Sequence, residues 1–201
     1  MKKVLLLGDS IRQNYQQYVR EHLEGKAEVF YPDDNGRFCS FTLRHLHDYV
    51  RIFTAGDRKN FDIIHFNFGL WDVLRLSNEE RTFTSRQEYG ELLVRLCSRM
   101  EYLCPGAKKI FALTTSVVEP GFGPGDSMGK RCNVDIEQFN HIAQAVLRTK
   151  VDSINDLWKV SMDMPKFARS DNVHFQTELG VERLGRKVVE SISAYVDRGK
   201  S

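Results

Sequence analysis

Long hydrophobic runs are missing from this chain. No stretch approaches the roughly 20 apolar residues that cross a bilayer. The first apolar run, Val4 to Leu7, follows Lys2 and Lys3 but stops at Gly8-Asp9-Ser10, too soon for the core of a secretory leader. An excess of one charge is missing too. Lys plus Arg number 29 and Asp plus Glu 27, for a formal net charge of +2. That balance gives no electrostatic case for nucleic acid or an anionic membrane as partner. Cysteine is sparse: Cys39, Cys97, Cys104 and Cys132 show no CxxC spacing, so neither a disulfide framework nor a zinc site is indicated. The expectation is a cytoplasmic protein with reduced thiols.

What is present is an ordinary globular composition. The 201 residues are 41% hydrophobic, 28% charged and 11% aromatic. A chain of this size buries a core without metals or disulfides, and residues 1–201 read as a single domain. Strand-like and helix-like segments alternate along it. Val4–Leu7, Ala27–Tyr31, Phe61–Phe68, Lys109–Thr114 and Val151–Ile154 are short apolar runs of the kind found in strands buried on both faces. Gln13–Leu23, Phe41–Phe53, the stretch from Ser85 to Leu103, Asp135–Arg148 and the stretch from Thr177 repeat apolar residues at helical spacing. Ser85 and Glu88 stand in capping-box spacing, and Pro105-Gly106 closes that helix. This order predicts an α/β domain, a five-stranded, mostly parallel sheet between two helix layers.

Ligands of such sheets bind beyond the C-terminal ends of the strands. Four segments should converge there: Gly8-Asp9-Ser10, Gly36, Asn67-Phe68-Gly69-Leu70-Trp71-Asp72, and Asp171-Asn172-Val173-His174. Ser10 has two readings, a helix N-cap or a hydroxyl facing the crevice near the backbone N–H groups of a strand-to-helix turn. Asp171 and His174 are three apart, so the carboxylate can hold one imidazole nitrogen while the other faces outward. A surface histidine beside a capping aspartate would look the same. The conjunction of serine, histidine and aspartate favours hydrolase chemistry.

These residues resemble the SGNH, or GDSL-like, hydrolases over nearly the whole chain. Leu7-Gly8-Asp9-Ser10-Ile11 is similar to the family's first block, Gly36 within Asp34-Asn35-Gly36-Arg37-Phe38 to its second, and Asp171 with His174, Phe175 and Gly180 to its last. Asn133-Val134-Asp135-Ile136 through Phe139-Asn140 also resembles this family. The resemblance implies a flavodoxin-like three-layer fold, Ser10 as nucleophile, His174 as general base and Asp171 as its orienter. It further implies oxyanion donors in the N–H groups of Ser10 and Gly36. The third block departs from the family's GxND, because Trp71 stands where its asparagine would be. Asn67 leaves the strand on the same face as Gly69. It is either the missing oxyanion donor or a buried tie for the loop. Trp71, Phe38 and Phe122 fall on loops at the crevice, either to contact substrate or to close the end of the core.

Other chemistries fit less well. Gly125-Asp126-Ser127-Met128-Gly129-Lys130-Arg131 misses a P-loop by one residue of spacing and by the Ser or Thr that holds magnesium. Gly121-Phe122-Gly123 lacks the third glycine of a dinucleotide fingerprint. Residues 119–131 read as a mobile loop beside the crevice, and a nucleotide- or ligand-binding α/β domain is the weaker alternative. His45 and His47 are two apart on a helix and point to different faces, so they do not chelate together with Cys39 nearby. Cys97 and Cys104, seven apart, suit core packing. The expected activity is hydrolysis of a short acyl ester, an O-acetyl group on a saccharide, by a Ser-His-Asp triad through an acyl-enzyme. An acyltransferase, lysophospholipase or thioesterase on the same triad is the alternative. The expected partner is a small-molecule or saccharide ester, with no metal, cofactor, nucleic acid or membrane, and activity should fall in acid as the base protonates.

Overall fold

The computed structural model describes residues 1–54, 61–122 and 129–197. In chain order the elements are β1 (Lys2–Gly8), α1 (Ser10–His22), β2 (Ala27–Phe30), α2 (Cys39–Thr54), β3 (Ile63–Asn67), β4 (Arg75–Leu76), α3 (Arg86–Leu103), β5 (Lys108–Ala112), β6 (Gly129–Lys130), α4 (Asn133–Leu147), β7 (Ser153–Asn155), α5 (Leu157–Met162), a 3-10 turn (Lys166–Ala168) and α6 (Glu178–Val196). Five strands form one sheet in the order β2-β1-β3-β5-β7, and every neighbouring pair is parallel. Helix α1 packs on α6, and α5 on α6, on one face; α2 packs on α3, and α3 on α4, on the other. The three-layer expectation is met.

The sheet's centre is apolar because both faces are covered. Val4, Leu5, Leu6, Ile63, Ile64 and Phe66 are fully buried. Such strands show continuous hydrophobic runs rather than alternation. Helix α1 begins three residues earlier than its periodicity suggests. Asp9 is its cap, accepting the Ile11 N–H at 2.9 Å. Helix α3 starts behind Ser85, whose hydroxyl accepts the Glu88 N–H at 3.2 Å. Helix α5 has only six residues and shows no amphipathic repeat long enough to read. The β4–β6 pair is two residues deep and is closed by tertiary contacts.

Two asparagines explain the polar positions on α4. Asn140 accepts the Thr114 N–H at 2.8 Å and donates to the Thr114 carbonyl at 3.0 Å. Asn133 brackets Val117 in the same way, both bonds being 2.9 Å. The chain leaving β5 has no ladder partner there, and the two side-chain amides take the place of one.

His65 lies in the middle of β3, fully buried, with Asn155 Nδ2 donating to its Nε2 at 3.1 Å. Burial disfavours the imidazolium and holds the His65 pKa down to about 3. An unfolded chain protonates this histidine near pH 6.5, whereas the folded chain does not until about pH 3. Acid therefore favours the unfolded state, and this contribution to stability falls by about 1.4 kcal/mol per pH unit below 6.5. We predict that the stability gap between wild type and His65→Gln, read from urea unfolding, narrows as pH falls from 7 to 5. A gap independent of pH would contradict this account of His65.

Candidate active site

Four segments meet at the C-terminal edge of β1 and β3. The first is the β1–α1 junction. With Asp9 as the cap, Ser10 is the first residue of the helix proper. The capping role that competed for Ser10 is filled by its neighbour. At this position the Ser10 N–H has no intrahelical partner and lies at the positive end of the helix dipole. Gly8 is required here. Its φ is +154°, and a Cβ would lie 2.4 Å from Asn67 Oδ1.

The second segment is the loop before α6. Asp171 Oδ1 accepts the N–H groups of Val173 and His174 at 2.6 and 2.8 Å. Its Oδ2 is left for His174 Nδ1 at 2.8 Å. The opposite ring nitrogen, Nε2, is 2.8 Å from Ser10 Oγ. Burial pushes Asp171 up, but the backbone N–H groups of His174 and Val173 and the imidazole outweigh it and hold the carboxyl below its usual range. An ionised Asp171 favours the tautomer with hydrogen on Nδ1, leaving Nε2 free to accept from the serine. Ser10, His174 and Asp171 are thus brought together in the order the sequence suggested.

Residues that sequence reasoning passed over hold this loop in place. Asn14 sits one helical turn after Ser10, and its Oδ1 accepts the Phe175 N–H at 2.9 Å. The i, i+4 spacing from Ser10 was the available signal. Arg169 donates to the Ser116 carbonyl and hydroxyl, each at 2.7 Å, and lies 4.0 Å over the Phe175 ring. Burial lowers the Arg169 pKa to about 10, which leaves it charged at neutral pH.

The remaining two segments, the loop carrying Gly36 and the end of β3, give one correction each. Gly36 was expected to offer its N–H to an oxyanion, but that N–H donates to the Gly8 carbonyl at 2.9 Å. A Cβ on Gly36 would approach the same oxygen to 2.6 Å, so the glycine lets two backbone segments touch. Asn67 was a candidate third donor. Its Nδ2 instead donates to Asp9 Oδ1 at 2.9 Å, and its Oδ1 accepts from the Tyr15 hydroxyl at 2.7 Å. Asn67 is the buried tie. The cause is Asp9: burial raises its pKa, and a carboxyl with 1% exposure must be matched by donors. Beside it Arg12, fully buried on α1, holds the turn that leads into the second block by donating to the carbonyls of Pro32 at 2.8 Å and Asp34 at 2.5 Å.

Asp72, the last residue of the third block, accepts the Cys39 N–H at 3.2 Å and the Thr84 hydroxyl at 2.9 Å. Burial raises its pKa to about 7. It fastens the start of α2 and the segment before α3 beneath a cluster of rings. Phe38 is the hub, 6.2 Å from Trp71 edge-on and 5.2 Å from Phe83 face-on. Phe38 and Trp71 are half-buried, and the more open ring is Phe83, at 49% exposure. Phe122 is 40% exposed and makes no ring contact with this cluster among the described residues. Residues 123–128, with most of the P-loop-like stretch, lie outside the described residues. His45 packs its ring on Phe41 and Tyr49 and has Nδ1 on the Phe41 carbonyl at 2.9 Å. A groove of about 720 Å³ between α3 and α4 contains none of the triad residues.

A three-layer parallel domain with these blocks on its strand ends has the fold of the SGNH, or GDSL-like, hydrolases. The particular likenesses are distant in sequence but nearly complete in length. The lipase/acylhydrolase of Enterococcus faecalis is 20% identical, with 96% of each chain covered and a TM-score of 0.72. The acetylxylan esterase Axe2 of Geobacillus stearothermophilus is 17% identical, covering 95% of this chain and 94% of its own, at 0.70. A carbohydrate esterase of family 3 from Talaromyces cellulolyticus is 16% identical, covering 98% and 99%, at 0.67. No protein-family profile and no curated protein sequence matches the chain.

The Asn14 bond generates a test. Removing the acceptor with Asn14→Ala should slow acylation of the protein by a reactive aryl ester by on the order of tenfold, because small displacements of a base are costly. Asn14→Asp, which keeps an acceptor oxygen, should recover most of that rate. Equal rates in the wild type and the alanine variant would show that the loop needs no such tie.

Proposed function

We propose that this protein is a serine esterase that removes a short acyl group, an O-acetyl, from a saccharide. The observation that carries the reading is the chain of two 2.8 Å contacts from Asp171 through His174 to Ser10. Nucleophile, base and orienter are each within hydrogen-bond reach of the next. The acetylxylan and carbohydrate esterases that share the fold support the choice of bond and the saccharide.

In this mechanism Ser10 Oγ attacks the ester carbonyl while His174 Nε2 takes its proton. Asp171 keeps the ring oriented and favours the imidazolium that forms. The oxyanion develops at the N-terminus of α1, where the Ser10 N–H and the helix dipole stabilise it. Gly36 would join only by giving up its bond to the Gly8 carbonyl. His174 then protonates the departing sugar hydroxyl. Water enters, gives its proton to the same nitrogen, and attacks the acyl-enzyme. The tetrahedral intermediate expels Ser10 Oγ, which recovers its proton from His174, and the acid leaves.

The test needs no knowledge of the natural ester. A small fluorophosphonate should add once to the wild type, as seen by intact mass, and should not add to Ser10→Ala. His174→Ala should slow the labelling by at least 100-fold, since an unassisted serine hydroxyl is a weak nucleophile. A folded wild type that takes no label, or a Ser10→Ala protein that still does, would overturn the proposal.

A further inference from the structure

A recess of about 500 Å³, within the roughly 300–1,000 Å³ of small-ligand clefts, is lined by none of the triad residues. Phe83 forms one wall, and Arg75, Arg81, Arg86 and Asp135 are among its other lining residues. Its position is set by the same polar core as the active site. The Phe83 N–H donates to the Leu74 carbonyl at 2.6 Å, and the Thr84 N–H to the Asp72 carbonyl at 3.0 Å. These bonds seat the Phe83 ring against Phe38, two residues after Gly36, whose N–H is on the carbonyl of Gly8, two residues before Ser10. The recess therefore borders the cluster of Phe83, Phe38 and Trp71.

Its chemistry is specific. Arg75 is rigid, held on both oxygens of Asp135 at 2.7 and 2.9 Å. Arg86 is 4.0 Å from the same carboxylate, and its side chain is 56% exposed. Arg81 is more open still. An acyl chain would match Phe83 but leave the guanidinium groups facing hydrocarbon. A simple anion would use the guanidiniums but not the ring, and Asp135 already neutralises part of their charge. A sugar ring matches both, with an apolar C–H face for Phe83 and hydroxyls that accept from planar N–H donors.

We infer that this recess is a distal saccharide subsite, which binds a sugar unit remote from the acylated one, so that the preferred substrate is an oligosaccharide rather than a monosaccharide ester. The inference rests on the saccharide reading above. Phe83 is the residue that decides it, and it lies outside the catalytic machinery.

The experiment compares wild type and Phe83→Ala on three substrates: 4-nitrophenyl acetate, mono-O-acetylated xylose and O-acetylated xylotetraose. We expect unchanged kcat/KM on the first two, and a loss of roughly fivefold on the third, carried by KM, the size of one aromatic contact. Non-acetylated xylotetraose should also bind Ser10→Ala in calorimetry, and more weakly once Phe83→Ala is added. An equal loss on all three substrates would show that Phe83 acts through Phe38 on the active site, and no loss on the tetraose would show an unused recess. Either result overturns the subsite while leaving the esterase reading standing. A wild type active on 4-nitrophenyl acetate and inert on both sugars would overturn the saccharide reading itself, and the subsite with it.

Discussion

The hydrogen bond from the Phe175 N–H to Asn14 joins parts of the chain 161 residues apart. It also makes one helix the reference for both halves of the site. Ser10 opens α1, and Asn14, a turn later, holds the loop that presents His174. A motion of α1 would therefore carry Ser10 and His174 together. Arg169, the internal turn of Asp171 and the bond from the Val118 N–H to the Asn172 carbonyl fix the loop's shape and its link to the chain after β5. Preorganised distances matter because a base displaced by about 1 Å can lose on the order of 100-fold in rate.

The structure also buries several polar side chains near that helix. Asp9, Arg12, Asn67 and Asp72 are nearly or fully inaccessible. Each would be costly alone, and each has partners: Asp9 has Ile11 and Asn67, the terminal nitrogens of Arg12 have the carbonyls of Pro32 and Asp34, and Asp72 has Cys39 and Thr84. The matched groups come from different strand ends, so the network fastens to one another the loops that an apolar core would leave to slide. Apolar packing is non-directional, whereas these bonds fix register.

Much of this was legible before the structure. The strands announced themselves as continuous apolar runs because both faces of the sheet are covered, and the long helices by periodicity, because each lays one stripe on it. Ser10, Asp171 and His174 were legible because strand-end placement and a three-residue spacing are local properties of the chain. The oxyanion set was not. Whether the Gly36 N–H or the Asn67 amide is free depends on partners at Gly8 and Asp9, which are neighbours only in space. Phe83 was missed for the same reason. It stands on an irregular segment, and nothing in its surroundings shows that backbone bonds to Leu74 and residue 72 will lay it on Phe38.

The central claim is that Ser10 and His174 work as a unit assembled by the fold. The most direct measurement is the esterase rate of the Ser10→Ala and His174→Ala variants and of the double variant, each checked for folding. Residues acting in one proton-transfer chain are grossly non-additive. The account predicts that the double variant is no slower than the slower single one. Losses that multiply, each variant removing an independent share of the rate, would contradict it.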